Sequence, residues 1–457
     1  MKLFNTLSRK LEDVRPITAG EISLYTCGPT VYDYAHIGNL RNVIFNDTLR
    51  RMLETSGLAV NHVRNLTDVG HLTSDADEGD DKLEKGAERE GKTVWEVADF
   101  YIDAFHDDAS ALNILPPTTE ARATDFVPEQ LALVETLVDK GFGYVTDQAI
   151  YFDVTKLDDY GKLTGQKLEG KVTAARDEVV VDANKRSPED FALWFFATGH
   201  FADHTMRWPS QWGDGFPGWH LECSAIIAKF LGNPIDIHTG GVDHIGTHHT
   251  NEIAQTEAAT GKPLANLWVH SEFLQIEGEK IAKSAGNFLR LRDLVERGYH
   301  PLSFRLLMLQ SHYRSQVNFT WEALEAAQHF LLGLYGWAEL SHQTSFPELP
   351  DEALEPVKLA VADDLGTPTA LAELAKLTGT NERPSSPMLA TLDDLFGLDL
   401  RRRGDITSQQ KQLIADRQTA RGQKDFTEAD RLRTELEQEG ISLDDTEMGP
   451  RWSRATI

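Results

Sequence analysis

Two cysteines stand in this chain of 457 residues, Cys27 and Cys223. Each lies in a dense polar motif: Tyr25-Thr26-Cys27-Gly28-Pro29-Thr30, and Gly218-Trp219-His220-Leu221-Glu222-Cys223-Ser224. A third cluster, His248-His249-Thr250-Asn251-Glu252, supplies imidazole and carboxylate. Two thiolates, one imidazole and one carboxylate make a zinc shell. His248 and Glu252 stand at i,i+4 on one helix face, His244 and His248 share that spacing, and His249–Glu252 is at i,i+3. Spacing therefore leaves the choice of histidine open. A cysteine alone reads as a small buried apolar residue, but the polar context of both makes that reading poor.

Two further motifs suit a nucleotide. His36-Ile37-Gly38-Asn39 opens a helix directly after a strand. Helix N-terminal amides and the dipole favour a phosphate there, and the imidazole can stabilise charge developing on it. Lys280-Ile281-Ala282-Lys283-Ser284 puts two lysines three apart on a small-residue loop, as a mobile clamp on a triphosphate would require. Alone, the first is an ordinary helix cap and the second a solvated basic loop; together and in this order they point to ATP.

The elements that must position these groups follow from periodicity. Ile22–Cys27 reads as a short buried strand. Apolar residues then recur at helical spacing from Gly38 to about Ser56 (Leu40, Val43, Ile44, Leu49, Met52, Leu53) and stop at Gly57. Leu58–Arg64 is a second strand. A similar unit returns later: a helix over 218–230, a strand over 234–238, a helix over 248–259 and a strand over 267–270. Strand, glycine turn, helix, strand is the opening of a nucleotide-binding α/β fold. The stretch 115–212 reads as an insertion between two halves of one sheet. Beyond about 320 the pattern is helical, broken at Ser341–Pro350 and Thr378–Pro387. The expected organisation is a Rossmann-type catalytic domain over 1–300, a helical bundle over 301–400 and a small module over 401–457.

The net charge is −27, which argues against sequence-blind nucleic-acid binding. Residues 401–457 hold eleven Lys+Arg and eleven Asp+Glu, so the rest of the chain carries the whole of it. No run of about 18 apolar residues predicts a membrane span. The start, Met1–Thr6, lacks the apolar core of a signal peptide. Two cysteines cannot build a disulfide framework, so a cytoplasmic protein is expected. The acidic stretch Asp75–Asp80 fails as a calcium loop, because glycine stands at the fifth position and Gly86 where the bidentate Glu belongs.

In combination the motifs resemble the class I aminoacyl-tRNA synthetases, and within them the cysteinyl-tRNA synthetases. The resemblance is carried by Tyr25–Asn39, Arg64–Asp68, Pro217–Ser224, His238–Asp243, His248–Gln255, Lys280–Asn287, His312–Ser315, Asp363–Pro368 and Lys424–Leu432. It implies zinc, one ion per chain, on Cys27, Cys223, His248 and Glu252, which settles the histidine. It implies a cysteine pocket at Gly28, Thr30, Thr67, Trp219, Gly241 and Asp243. His36, Asn39, Lys280, Lys283 and Ser284 would handle ATP with its Mg2+. The substrate thiolate would join the zinc, a bond that a serine hydroxyl makes poorly. The implied partners are tRNA(Cys), cysteine and ATP, with no membrane, and the protein is expected to be a monomer. Departures are modest: Ile281 and Ala282 stand where Met and Ser are usual, and Gly246-Thr247 and Thr250 replace Phe-Pro and Glu.

In the family the terminal module reads the anticodon. Here Arg417, Arg421 and Lys424 recur at i, i+4, i+7, and Trp452 offers a stacking surface. Three other readings compete. A cysteine ligase acting on an amino sugar would have no use for that module. A nucleotidylyltransferase would not need the zinc shell. A zinc-stabilised RNA-binding protein would not need the lysine loop.

Overall fold

A computed structural model describes residues 1–74, 78–165, 182, 184–280 and 288–455. The chain forms two units, one of residues 1–110 and 115–273, the other of 111–114 and 274–457.

The first unit is built on five parallel strands. In chain order they are β1 (Glu21–Thr26), β2 (Ala59–Leu66), β3 (Thr119–Arg122), later a strand at Ile235–Gly241, and one at Ala265–Ser271. Helix α1 (Ile37–Thr55) crosses from β1 to β2 and buries Leu40, Val43, Ile44, Leu49, Met52 and Leu53, the residues whose spacing predicted it. Gly57 adopts the left-handed region, φ 86°, and turns the chain back. Strand β3 lies within the stretch expected as insertion. Thr-Glu-Ala-Arg has no apolar alternation to betray it, and it is held at the sheet edge by pairing with β2 and by Arg64–Glu120 at 2.6 Å.

The insertion proper carries helix α2 (Val127–Asp139) and an antiparallel sheet of β4 (Gly143–Val145), β5 (Ala149–Phe152), β6 (Phe191–Phe196) and β7 (Gly215–Pro217). The chain then re-enters the main sheet through α3 (Trp219–Phe230), β8 (Ile235–Gly241), α4 (His248–Thr260) and β9 (Ala265–Ser271). The order is β9-β8-β1-β2-β3, all parallel. Connections run outward in opposite directions from β1 and β8, so the switch point falls between their carboxyl ends. Helices α3 and α4 are gripped on two sides. Cys223, Ile226, Ile227 and Ile253 pack with Tyr25, Val63 and Trp268 of the main sheet, while Leu221, Ala254 and Ala258 pack with Ile150, Phe152 and Leu193 of the insertion.

In the second unit, helices Pro301–Leu309, Trp321–Glu339, Glu355–Ala362, Thr367–Thr378 and Ser386–Phe396 precede the terminal module. Two of the matching stretches meet there: Tyr313 Oη donates to Asp364 Oδ1 at 2.6 Å and Arg314 Nε to Asp364 Oδ2 at 2.8 Å. The two Ser/Pro-rich breaks also join, with Arg383 N donating to Pro347 O at 2.8 Å. Among the described residues no helix is long and apolar enough to cross a membrane.

The terminal module is α5 (Ser408–Gly422), α6 (Phe426–Gln438) and a hairpin, β10 (Ile441–Thr446) with β11 (Gly449–Arg454), around Ile406, Leu436, Ile441, Leu443 and Trp452. The hairpin alters the basic stripe expected there. It brings Asp445 onto α5, where Arg417 is buried and grips the carboxylate with two hydrogen bonds of 2.8 Å; Arg421 pairs with the same group. Trp452 is core, not a stacking surface. Asp445→Ala should cost about 2 kcal/mol, the worth of charge-assisted bonds to a largely buried guanidinium, read as faster hydrogen exchange across 406–454. Those bonds with Arg417 hold the Asp445 carboxyl down from 3.8 to about 2. A lowered carboxyl stabilises the folded state above its ordinary value, so this contribution should fade as pH falls from about 4 through about 2.

Candidate metal centre and substrate site

The switch point decides what meets what. Cys27 follows β1 directly, and its N–H donates to Thr239 O of β8 at 3.3 Å. Cys223 lies in the second turn of α3, and His248 and Glu252 lie on the first turns of α4. Their donor atoms all fall within 4.8 Å of one another, and all four residues are buried. A second set, Cys27, His238, His249 and Glu252, meets the same criterion. Gly240 is required at this point: a Cβ there would lie 2.6 Å from His249 Cε1 and 2.8 Å from His244 Nδ1.

The first set fits a tetrahedral cation. Bonds of ~2.0–2.3 Å at the tetrahedral angle put donors ~3.3–3.8 Å apart. Cys223 Sγ lies 3.4 Å from His248 Nε2, inside that range, while His248 Nε2 and Glu252 Oε1, at 3.0 Å, would separate by a few tenths of an ångström around an ion. That oxygen is buried and faces the His248 and His249 rings, the neighbours a shared cation would have. The ligand candidates are themselves held. His238 Nε2 bonds Glu252 Oε2 at 2.8 Å, and His220 Nδ1 lies 3.0 Å from His248 Nδ1. Such outer partners orient metal ligands.

Electrostatics agree with the geometry. Burial pushes the Cys223 thiol well up. Burial also opposes ionisation of Cys27, but the hydrogen bond with Cys223, joined by those of His244 and His248, holds that thiol well below its ordinary range. Burial would raise Glu252, yet His238 and His248 hold it at about 2. Burial would lower His248, but the Glu252 carboxylate lifts it to about 10.

The expected pocket residues adjoin this cluster. The Trp219 indole is stacked between His71, at 3.9 Å, and His248, at 4.2 Å. Thr30 Oγ1 bonds His71 Nδ1 at 2.7 Å. Gly28 N donates to Asn65 Oδ1 at 2.8 Å, and a Cβ at Gly28 would lie 1.8 Å from Asn65 O. Asn65 Nδ2 and Thr67 Oγ1 both donate to Glu222 Oε1, at 3.1 and 2.5 Å. Burial raises the Glu222 carboxyl to about 8. Gly241 ends β8, and Asp243 lies in the following turn. His36 caps α1: its Nδ1 accepts from Gly38 N and Asn39 N, while Asn39 Oδ1 accepts from His36 N. With Nδ1 occupied as acceptor, the neutral ring carries its proton on Nε2, a donor suited to a phosphate oxygen. The side chain of Lys280, and Lys283 and Ser284, lie outside the described residues.

Sequence reading gave no role to Asn65, His71, His220, Glu222, His238 or His270. One signal was available: His220 and Cys223 stand at i,i+3 on one helix. Glu222 lies on the same helix, whereas Asn65, His238 and His270 come from three different strands and His71 from the loop after β2, which spacing cannot reveal.

The family model described as "tRNA synthetases class I (C) catalytic domain" matches residues 13–329, and "Cysteinyl-tRNA ligase anticodon binding domain" matches 403–452. Cysteine–tRNA ligase 1 of Burkholderia lata is 47% identical, over 99% of this chain and 96% of the relative. Cysteine–tRNA ligase of Treponema denticola is 40% identical, over 99% of both. Among solved structures, Mycobacterium tuberculosis methionyl-tRNA synthetase with methionyl-adenylate has a TM-score of 0.58 at 15% identity, covering 84% of this chain and 90% of its own. The LeuRS of Agrobacterium radiobacter K84, in a ternary complex with tRNA and LeuAMS, has 0.61 at 12%, covering 87% of each. The parallel sheet with its central switch point is thus the catalytic fold of a class I aminoacyl-tRNA synthetase. Within that class, the chain belongs to the cysteine–tRNA ligase family.

Proposed function

We propose that this chain joins cysteine to tRNA in two steps: cysteine and ATP form cysteinyl-adenylate and pyrophosphate, and the cysteinyl group then passes to the terminal ribose of tRNA. The observation that carries this reading is the buried Cys27, Cys223, His248 and Glu252 set at the carboxyl edge of the parallel sheet. Those residues would hold zinc, which supplies a soft Lewis acid for the substrate sulfur. A hydrophobic pocket alone separates close analogues only ~10–200-fold.

The chain's own residues do the rest. Gly28, Thr30, Thr67, Trp219, Gly241 and Asp243 form the walls that receive the amino acid. His36 and Asn39 present the start of α1 to the triphosphate, and His36 Nε2–H meets charge on the α-phosphate. Lys280, Lys283 and Ser284 clamp the outgoing pyrophosphate with its Mg2+. Catalysis is positioning and charge stabilisation without a covalent enzyme intermediate.

The anticodon-domain match over 403–452 favours tRNA over an amino sugar as acceptor. The deciding experiment is cysteine-dependent ATP–pyrophosphate exchange followed by transfer to bulk tRNA. Exchange with serine in place of cysteine, or transfer to an amino sugar only, would overturn the reading.

Glu222 tests the pocket. It anchors Thr67 and Asn65, and through Asn65 the Gly28 amide. Glu222→Ala should raise KM for cysteine about tenfold, the equivalent of ~1.4 kcal/mol, while kcat changes little. Glu222→Gln keeps an acceptor oxygen and should restore KM. A Gln variant as poor as Ala would remove this role.

A further inference from the structure

We propose that the cage offers its metal a second, overlapping position made by Cys27, His238, His249 and Glu252. This rests on the reading that Cys27, Cys223, His248 and Glu252 hold the resident ion. The four donors of the second set lie within the same 4.8 Å limit and all four residues are buried.

Glu252 faces both ways. Its Oε1 lies 3.0 Å from His248 Nε2, while its Oε2 lies 2.8 Å from His238 Nε2. One carboxylate therefore presents a separate oxygen to each side. Cys27 is shared too, with Sγ 3.3 Å from His249 Nε2, a donor spacing within the range expected around one ion of ~2.0–2.3 Å bonds.

His249 is set up as a donor, while His238 Nε2 now donates to Glu252 Oε2 and would exchange that partner for the ion. His249 Nδ1 lies 2.8 Å from His270 Nε2, and His270 Nδ1 lies 2.7 Å from Thr6 Oγ1. Protons directed toward Thr6 along this relay leave the His249 Nε2 lone pair facing Cys27. His238 is stacked on Trp268 at 4.6 Å with an angle of 17°, and lies 4.5 Å from His249, centroid to centroid. Its Nδ1 is buried without a hydrogen-bond partner, so no bond on that nitrogen resists a small rotation of the ring.

Cys27 and Glu252 complete both shells, so one ion occupies one position at a time. The first set has two sulfurs and one imidazole; the second has one sulfur and two imidazoles. The second is the less soft of the two, suited to borderline cations such as Zn2+ and Co2+.

The imidazole count supplies the test. Full-length wild type, Cys223→Ser and His248→Gln are loaded with Zn2+, and metal content and X-ray absorption fine structure are measured. Wild type should show two sulfurs and one imidazole. Each variant should retain one ion per chain, now with one sulfur and two imidazoles. Adding His249→Ala to Cys223→Ser should weaken binding a further ~10–100-fold. A variant that loses the ion, or keeps it with one imidazole or fewer, overturns the second position while leaving the first intact. A wild type without the two-sulfur signature overturns the underlying reading instead.

Discussion

Cys27→Ser and Glu252→Gln are each expected to empty the cage of metal and to abolish cysteine activation. Both residues belong to each of the two donor sets, so no alternative shell remains among the described residues. The effect should exceed the ~10–100-fold typical of losing an outer hydrogen-bond partner of a metal ligand. Glu252→Gln removes more than a donor. The carboxylate is the counter-charge for His248, whose ring it lifts to about 10, and a neutral amide leaves that charge buried without its partner. Metal analysis and cysteine-dependent pyrophosphate exchange are the measurements, with ATP affinity as the control. A metal-free variant that still activates cysteine would sink the assignment. Cys223→Ser should differ from both, losing activation while keeping an ion.

The second large effect concerns the terminal module. Removing residues 406–457 should cut transfer to tRNA at least ~100-fold, the equivalent of ~2.7 kcal/mol of lost contacts, yet leave pyrophosphate exchange within about threefold. A simple truncation would confuse the outcome. Glu339 is fully buried in the helix that the module covers, and its carboxylate receives Arg403 and Arg454. Deletion strips Arg454 and the backbone contacts of Trp452 with Gln343. Exposing half of that pair would destabilise the helix by itself. Arg403 stays on Glu339 in the truncated chain, so the melting temperature of that chain separates lost support from lost RNA contact. Loss of both activities would make the module a structural support, and full charging of tRNA would revive an amino-sugar acceptor. The RNA-facing groups should exclude Arg417, because Asp445 already holds it inside.

Much of this was legible from one dimension. The apolar spacing of α1, the glycine stop at Gly57 and the repeated strand–helix–strand units follow from local propensity and periodicity, and the corresponding elements lie where that spacing puts them. The two cysteines in polar motifs and the His/Glu cluster were legible as metal-ligand types, while the choice of His248 came from the family resemblance. Spacing on α4 could not separate His248 from His249, since both reach the face of Glu252. The tertiary structure does not abolish that ambiguity but gives it a meaning, as His248 faces Cys223 and His249 faces Cys27. Strand β3, too polar to stand out, exists only because β2 offers it an edge. The carboxyl-terminal hairpin decided which cations of the module stay outside, by delivering Asp445 to Arg417. Local sequence determines what a segment prefers to be and which side chains carry chemistry. Which oxygen of Glu252 meets which imidazole, and which arginine is consumed by an ion pair, depend on contacts between residues far apart in the chain, and only the packed sheet and hairpin bring those together.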